Sequence, residues 1–249
     1  MTTVETSSAI SVDCAVFGFD GTKLKALLIK RKYTTDDLSA DDLKLPGSMI
    51  LENETLQGAA SRVLEESTGL RDIFLKQTSI FSDPDRVSDK EMDWICRYHG
   101  IKTRRVVTVG YYALVKLTDG IINYTLKMGA RWVDVDDICH LAMDHLDILS
   151  DALSVLRKEM IYSPVAFELL PKRFTMRQLQ NLFIAVLGVE IDDRNFRKKI
   201  FSTGILKPTG EKEKNVSHKP AEYYTFNRSE FRKLENSRNK LGFIGNWSY

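Results

Sequence analysis

At roughly 150 residues per domain, the 249 residues suffice for one large domain and a second, smaller one. Hydrophobic residues make up 43% and charged residues 28%, which excludes a disordered or collagen-like chain and supplies apolar material for a core. Net charge is only +2, yet residues 1–160 hold 20 Lys+Arg against 25 Asp+Glu (net −5) and residues 161–249 hold 16 against 9 (net +7), so the front is expected to face small molecules or protein and the back a polyanion.

No run approaches 18 consecutive apolar residues, and the opening MTTVETSSAISVD lacks the basic-then-apolar layout of a signal peptide. Cys14, Cys96 and Cys139 are odd in number, far apart and without metal-ligand spacing, which reads as reduced thiols. A cytoplasmic protein that does not engage a membrane is expected.

In chain order, ISVDCAVFG (10–18) and LKALLIK (24–30) are strand-forming runs flanking Asp20-Gly21, a strong hairpin signal. A polar loop follows over 33–42. After Leu45-Pro46-Gly47-Ser48, a helix is predicted over about 56–67, closed by Gly69. Strands are predicted over 74–81, 106–117 and 131–135. Residues 82–105 are polar with Trp94 and Tyr98, and read as a functional or mobile loop inserted between two adjacent strands. Asp144 is placed to cap a helix reaching Tyr162, with Leu146, Leu149, Leu153 and Leu156 on one face and Pro164 marking its end. Mixed strands and helices with hairpins predict an α+β fold, with domains at 1–162 and 163–249.

The segment from Leu45 to Leu70 carries the chemistry. Its pattern resembles the Nudix box, G-x5-E-x7-R-E-U-x-E-E-x-G-U, where U is a bulky aliphatic residue. In enzymes with that box, a loop, a helix and a loop hold several carboxylates toward a divalent cation, which neutralises a diphosphate and activates water. Glu54, Arg62, Glu66 and Gly69-Leu70 are in place. Ser48 stands for the first glycine, Val63 for the first helix glutamate and Ser67 for the last. Glu65 projects from a different helical face. One clustered helix carboxylate remains, too few to strip Mg²⁺ of its water. A domain Nudix in shape but not in hydrolysis is therefore expected, with no catalytic residue, no metal and no cofactor. Val63→Glu with Ser67→Glu is the converse probe: strong Mg²⁺ binding by that double variant would support the Nudix-like fold.

Further along, Thr175 is a good N-cap for a helix with Leu179, Leu182, Phe183 and Val186 as its apolar stripe and Gly188 at its end. A second helix starts at Asp192 or Asp193, with Phe196 and Ile200 facing in. Two short helices joined by a glycine-containing turn, the second polar and basic, describe a helix-turn-helix. A strand at 204–208, a charged loop at 211–220 and a strand at 222–226 complete a wing. DNA contacts are expected from Arg177, Gln178, Arg194, Asn195, Arg197, Lys198, Lys199, Lys207, Lys212, Lys214 and Lys219, the wing lysines meeting phosphates and Arg194, Asn195 and Arg197 reading base edges.

A degenerate Nudix domain followed by LPKRFTMRQLQNLF and DDRNFRKKI resembles the Nudix-related bacterial transcriptional regulators, which include regulators of NAD metabolism and of arabinose utilisation. The resemblance runs from about Val12 to Phe231. It implies a homodimer, a winged helix-turn-helix on each subunit that binds double-stranded operator DNA, and a Nudix-like domain that senses a sugar or nucleotide-type effector. Two departures stand out: residues 83–105 are longer than usual, and the box is more eroded than in members that bind ADP-ribose.

The alternative is a Mg²⁺-dependent Nudix hydrolase of a nucleoside diphosphate derivative such as ADP-ribose. A third reading is a protein-interaction module. His99, His140, His145 and His218 lack a partner at zinc-ligand spacing; His145 is expected to tune the helix terminus beside Asp144. Trp94, Trp132 and Trp247 read as packing residues, or as rings lining a former substrate cleft.

Overall fold

The computed structural model describes residues 9–31, 42–217 and 219–236. Most of the polar loop read at 33–42, together with His218 and Trp247, lies outside them. By contact density the chain divides into two compact units. The first lies within Met1–Gly18 and Lys25–Leu153, the second within Phe19–Leu24 and Ser154–Tyr249. The division falls inside a helix, N-terminal to the boundary read at Pro164.

The first unit is built on a seven-stranded mixed sheet. Strand β1 (Ala9–Phe19) and β2 (Leu24–Lys30) form the expected hairpin. At its tip Asp20 Oδ1 accepts from the backbone N–H of Thr22 (2.9 Å) and Lys23 (2.8 Å), and Gly21 takes φ +103°, which glycine reaches without steric cost. Two short strands not read from the sequence, β3 (Leu43–Lys44) and β4 (Gly47–Met49), pair with β2 and β1. Next come β5 (Phe74–Phe81), β6 (Val106–Lys116) and β7 (Ala130–Asp134), giving the order β3-β2-β1-β6-β5 with β7 also on β2. Residues 11–19 of β1 are all buried, so both faces of the central strand are covered.

Helix α1 (Leu56–Thr68) begins at Thr55, whose hydroxyl accepts from Gly58 N, and ends at Gly69 with φ +74°. Its Val63 and Leu64 join Val12, Cys14, Val16, Leu27, Val109 and Tyr111 in the main core. Each such fully buried aliphatic side chain contributes roughly 1.5–3 kcal/mol.

The inserted segment is not a loop. It folds into α2 (Asp89–His99), with a capping box between Ser88 and Glu91. Met92, Trp94 and Ile95 make a small separate core with Val106. Helix α3 (Asp119–Lys127), also unread, packs on β7. In α4 (His145–Tyr162) the buried face is Ile148, Leu149, Ala152, Leu156 and Met160, whereas Leu146 is exposed and Leu153 only half-buried. A strict leucine count misplaced that stripe, because alanine and methionine complete it.

The second unit continues through a 3-10 turn at Pro164–Glu168 into β8 (Phe174–Thr175), α5 (Met176–Leu187), α6 (Asp193–Ser202), β9 (Leu206–Lys212), β10 (Glu222–Phe226) and α7 (Arg228–Asn236). Its sheet has the order β8-β10-β9, all antiparallel. Strand β9 runs on to Lys212, so Glu211 and Lys212 belong to a strand and not to the loop. Thr175 caps α5, Gly188 ends it with φ +70°, and Leu179, Leu182, Phe183 and Val186 are buried as expected. Phe196 and Ile200 face inward, and the Phe196 ring lies 5.5 Å from that of Phe183. Phe231 of α7 is buried beside Phe226. Among the described residues no helix is long and apolar enough to cross a membrane.

Candidate functional site

The Nudix-like box keeps its shape through one arginine. Arg62, projecting from α1, donates from Nε to Glu54 Oε2 (2.9 Å), from Nη2 to Glu54 Oε1 (2.6 Å) and Met49 O (3.0 Å), and from Nη1 to Glu66 Oε2 (3.2 Å). The two carboxylates left in the box thus share a single guanidinium. The Arg62 hydrogen bonds are the largest influence holding the Glu54 carboxyl below its usual range, and the Leu51 N–H adds to it. Val63 is buried in the main core, Glu65 pairs with Arg71, and Ser48 lies on β4. Among the described residues no group of three or more His, Cys, Asp or Glu side chains could hold a metal ion. Two carboxylates already occupied by an arginine are a poor donor set for Mg²⁺, which competes badly for ligands unless they are free and several. The residues present do not fit that ion.

Beside the box lies a cavity of about 40 Å³ that sequence reading did not anticipate, lined by residues from β1, β3, β4, β6, α2 and the start of α4. Asp13, Lys44, Arg86 and His145 bring ionisable groups to it, and Trp94 and His99 bring rings. Gly47 is required here: a Cβ on it would stand 1.5 Å from Asp13 Oδ1, so only glycine lets β4 approach β1 this closely.

The polar groups of the cavity form a network. Arg86 donates from Nε and Nη2 to the two carboxylate oxygens of Asp144 (2.6 and 2.8 Å) and from Nη1 to Thr108 Oγ1 (2.6 Å). His145 accepts the Leu45 N–H on Nδ1 at 3.0 Å, which fixes the tautomer with any proton on Nε2, 3.9 Å from Asp13 Oδ1. Burial pushes the His145 pKa down to about 3, so the ring is neutral. Burial raises Asp13, opposed by the charges of Lys44, Arg86 and His99, and lowers Lys44, opposed by Asp13. His145 is therefore a buried cavity residue, not a surface tuner of a helix end. Asp144 stands just before α4, and its carboxylate takes Arg86. The available signal was Asp13, a charge inside the apolar run SVDCAV; burying a charge is costly unless it is paired.

In the second unit, α6 exposes Arg194, Asn195, Arg197 and Lys198 and half-buries Lys199. Asp192 Oδ1 caps it by accepting from Asn195 N (2.8 Å). Arg197 Nε donates to both carboxylate oxygens of Asp193 (3.0 and 3.1 Å). Lys207 and Lys212 are exposed on β9, and Lys214 and Lys219 in the connection to β10. Arg177 is exposed on α5, whereas Gln178 Oε1 is taken by the Thr175 N–H (2.8 Å) in a capping box. A helix that exposes Arg194, Asn195, Arg197 and Lys198, with Phe201 exposed in its last turn, followed by a basic hairpin is suited to a phosphate-lined groove.

Residues 166–226 match the model of the NrtR DNA-binding winged helix domain. The chain is 28% identical over 225 residues to the ADPR-responsive transcriptional repressor NtrR of Acinetobacter baylyi, an alignment spanning 88% of this chain and 82% of that protein. It superposes on the crystal structure of Shewanella oneidensis NrtR complexed with a 27mer DNA with TM-score 0.69 at 25% identity, covering 90% of this chain and 95% of that one. A MutT/nudix family protein of Enterococcus faecalis shares the fold, with TM-score 0.62 at 22% identity over 91% and 89% of the two chains. The chain is thus a Nudix-like domain followed by an NrtR-type winged helix, the make-up of the Nudix-related transcriptional regulators.

Proposed function

We propose that this chain is a ligand-responsive transcriptional regulator whose winged helix binds operator DNA and whose Nudix-like unit recognises a nucleotide-type metabolite without hydrolysing it. The observation that carries the reading is the pairing of an NrtR-type winged helix at 166–226 with a box in which Val63 and Ser67 stand where the Nudix pattern has glutamates. Likeness to the Acinetobacter ADPR-responsive repressor makes ADP-ribose the first effector to test. On the DNA side, Arg194, Asn195 and Arg197 read bases, and Lys207, Lys212, Lys214 and Lys219 meet phosphates. A homodimer sets two recognition helices about one helical turn apart, or a multiple of it, on a two-fold operator.

The test is fluorescence anisotropy with duplex DNA from upstream of the protein's own operon, at moderate salt, with and without ADP-ribose. Preference for that DNA over random duplex and a shift of about 5- to 150-fold with effector, or roughly 1–3 kcal/mol of coupling, is the expected result. Equal affinity for both duplexes overturns the reading, because phosphate contacts alone give binding without preference. Mg²⁺-dependent turnover of ADP-ribose that vanishes in Glu66→Gln overturns the non-hydrolytic part.

A further inference from the structure

We infer that α2, the helix inserted between β5 and β6, is a plug that fills the effector cleft and must leave when ligand binds. This rests on the reading of the Nudix-like unit as a sensor. The cleft beside the box is lined by Asp13, Lys44, Arg86 and His145, a concentration of polar chemistry that an interior meant only to be stable has no need of. Yet the space left is about 40 Å³, little more than a water's roughly 30 Å³ share of liquid volume. A pocket for a small-molecule ligand or cofactor encloses roughly 300–1,000 Å³. What takes up the room is α2: Trp94 and Ile95 line the cavity, 3% and 5% exposed, and His99 lines it at the helix end.

The way α2 is fastened fits a part that detaches. Its apolar contacts form a cluster of their own with Val106, against which Ala9, Met49 and Met143 also pack, apart from the main core. Its arginine pairs, Arg104 with Asp89 and with Asp93, join residues inside the insertion and would travel with it. Its polar ties to the rest of the unit gather on Glu91 and Trp94: Glu91 Oε1 accepts the Met143 N–H (2.9 Å) and lies 4.0 Å from Arg31 Nη1, and the Arg31 guanidinium lies over the Trp94 ring at 4.2 Å. That last contact is imperfect. Arg31 Nε and Nη2 and Trp94 Nε1 are buried with no hydrogen-bond partner among the described residues, so the docked state holds donors that solvent would satisfy. A flat ring stacked on a buried cation is also the contact a nucleobase could take over once Trp94 withdraws.

Hydrogen exchange by mass spectrometry on the full chain, with ADP-ribose as probe, tests this. Ligand is expected to speed exchange of amides 89–99 while slowing that of the β3–β4 segment. Trp94→Ala, and Glu91→Ala as a second variant that spares the apolar cluster, are expected to speed exchange at 89–99 without ligand. Both should also bind ADP-ribose more tightly, by about tenfold if the open state rises from a tenth to most of the population. Binding with exchange at 89–99 unchanged or slowed overturns the plug. Two variants that leave 89–99 as protected as in the parent overturn it as well, whether or not ligand binds. If 89–99 opens in both variants and ADP-ribose binds to none of the three proteins, the plug stands and the effector assignment fails.

Discussion

Arg86→Met is expected to destabilise the first unit by about 3–5 kcal/mol, the range for removing one partner of a buried ion pair. The guanidinium makes four hydrogen bonds, two to Asp144, one to Thr108 and a longer one to the Val106 carbonyl (3.5 Å), and the two charged side chains are only 8% and 9% exposed. Methionine fills much of the same volume but leaves the Asp144 carboxylate in a poorly solvated place with no counter-charge, which is where most of the loss arises. At roughly 2–4 °C per kcal/mol for a chain of this size, the melting temperature should fall by about 6–20 °C. Urea unfolding followed by tryptophan emission reads the change, since Trp94 and Trp132 both lie in the first unit. Arg86→Met with Asp144→Leu should recover at least half of the loss, because replacing a whole buried pair by apolar groups is often close to neutral. A single-variant loss under about 1 kcal/mol, or a double variant less stable than the single one, would refute the reasoning that the pair is desolvated and mutually dependent.

His145 supplies a pH test: its folded pKa is lowered to about 3, so between the unfolded value near 6.5 and that point the unfolded chain binds the extra proton, and stability from this group is present above pH 6.5 and lost on acidification. At pH 5 that amounts to about 2 kcal/mol, so the stability gap between parent and His145→Asn, measured by urea unfolding, should narrow by that much from pH 7 to 5, and a constant gap would contradict it. Val63→Glu with Ser67→Glu is expected to cost several kcal/mol and to gain no tight magnesium, since Val63 lies in the main core and an unpaired carboxylate there is strongly penalised; calorimetric Mg²⁺ titration and a melting curve decide it. Arg197→Ala should weaken preferred over random DNA by about 1–3 kcal/mol, whereas Lys214→Ala should weaken both alike and lower the salt slope by about one. Equal losses on the two DNAs for Arg197 would move base reading to Arg194 or Asn195.

Local chemistry explains which elements could be read in advance. The Asp20-Gly21 turn, the Thr55 and Thr175 caps, and the glycines at 69 and 188 act within a few residues of themselves, so each marked its boundary. Helix α2 was missed although Ser88 and Glu91 spell a capping box, because its polar outer face outweighed three buried residues. Helix α3 carried a comparable sign in Thr118, whose hydroxyl accepts from Ile121 N, and α7 in Asn227, whose side chain accepts from Glu230 N. Strands β3, β4 and β8 are two or three residues long and exist only because a neighbouring strand offers an edge. The cleft was the least legible part. Asp13, Lys44, Arg86 and His145 lie on separate segments, and only the fold makes neighbours of them. By contrast, the exposed cations of α6 sit within one stretch of sequence, so their shared helix could be foreseen.

The Arg62 clamp has a bearing on the conditions under which such a sensor works. It fastens the stretch from Met49 to Glu54 onto α1 using groups that belong to the chain itself. The loop is therefore ready-formed in a chelator as much as in millimolar salt. A switch built this way would answer to the abundance of its metabolite and ignore swings in free divalent cations.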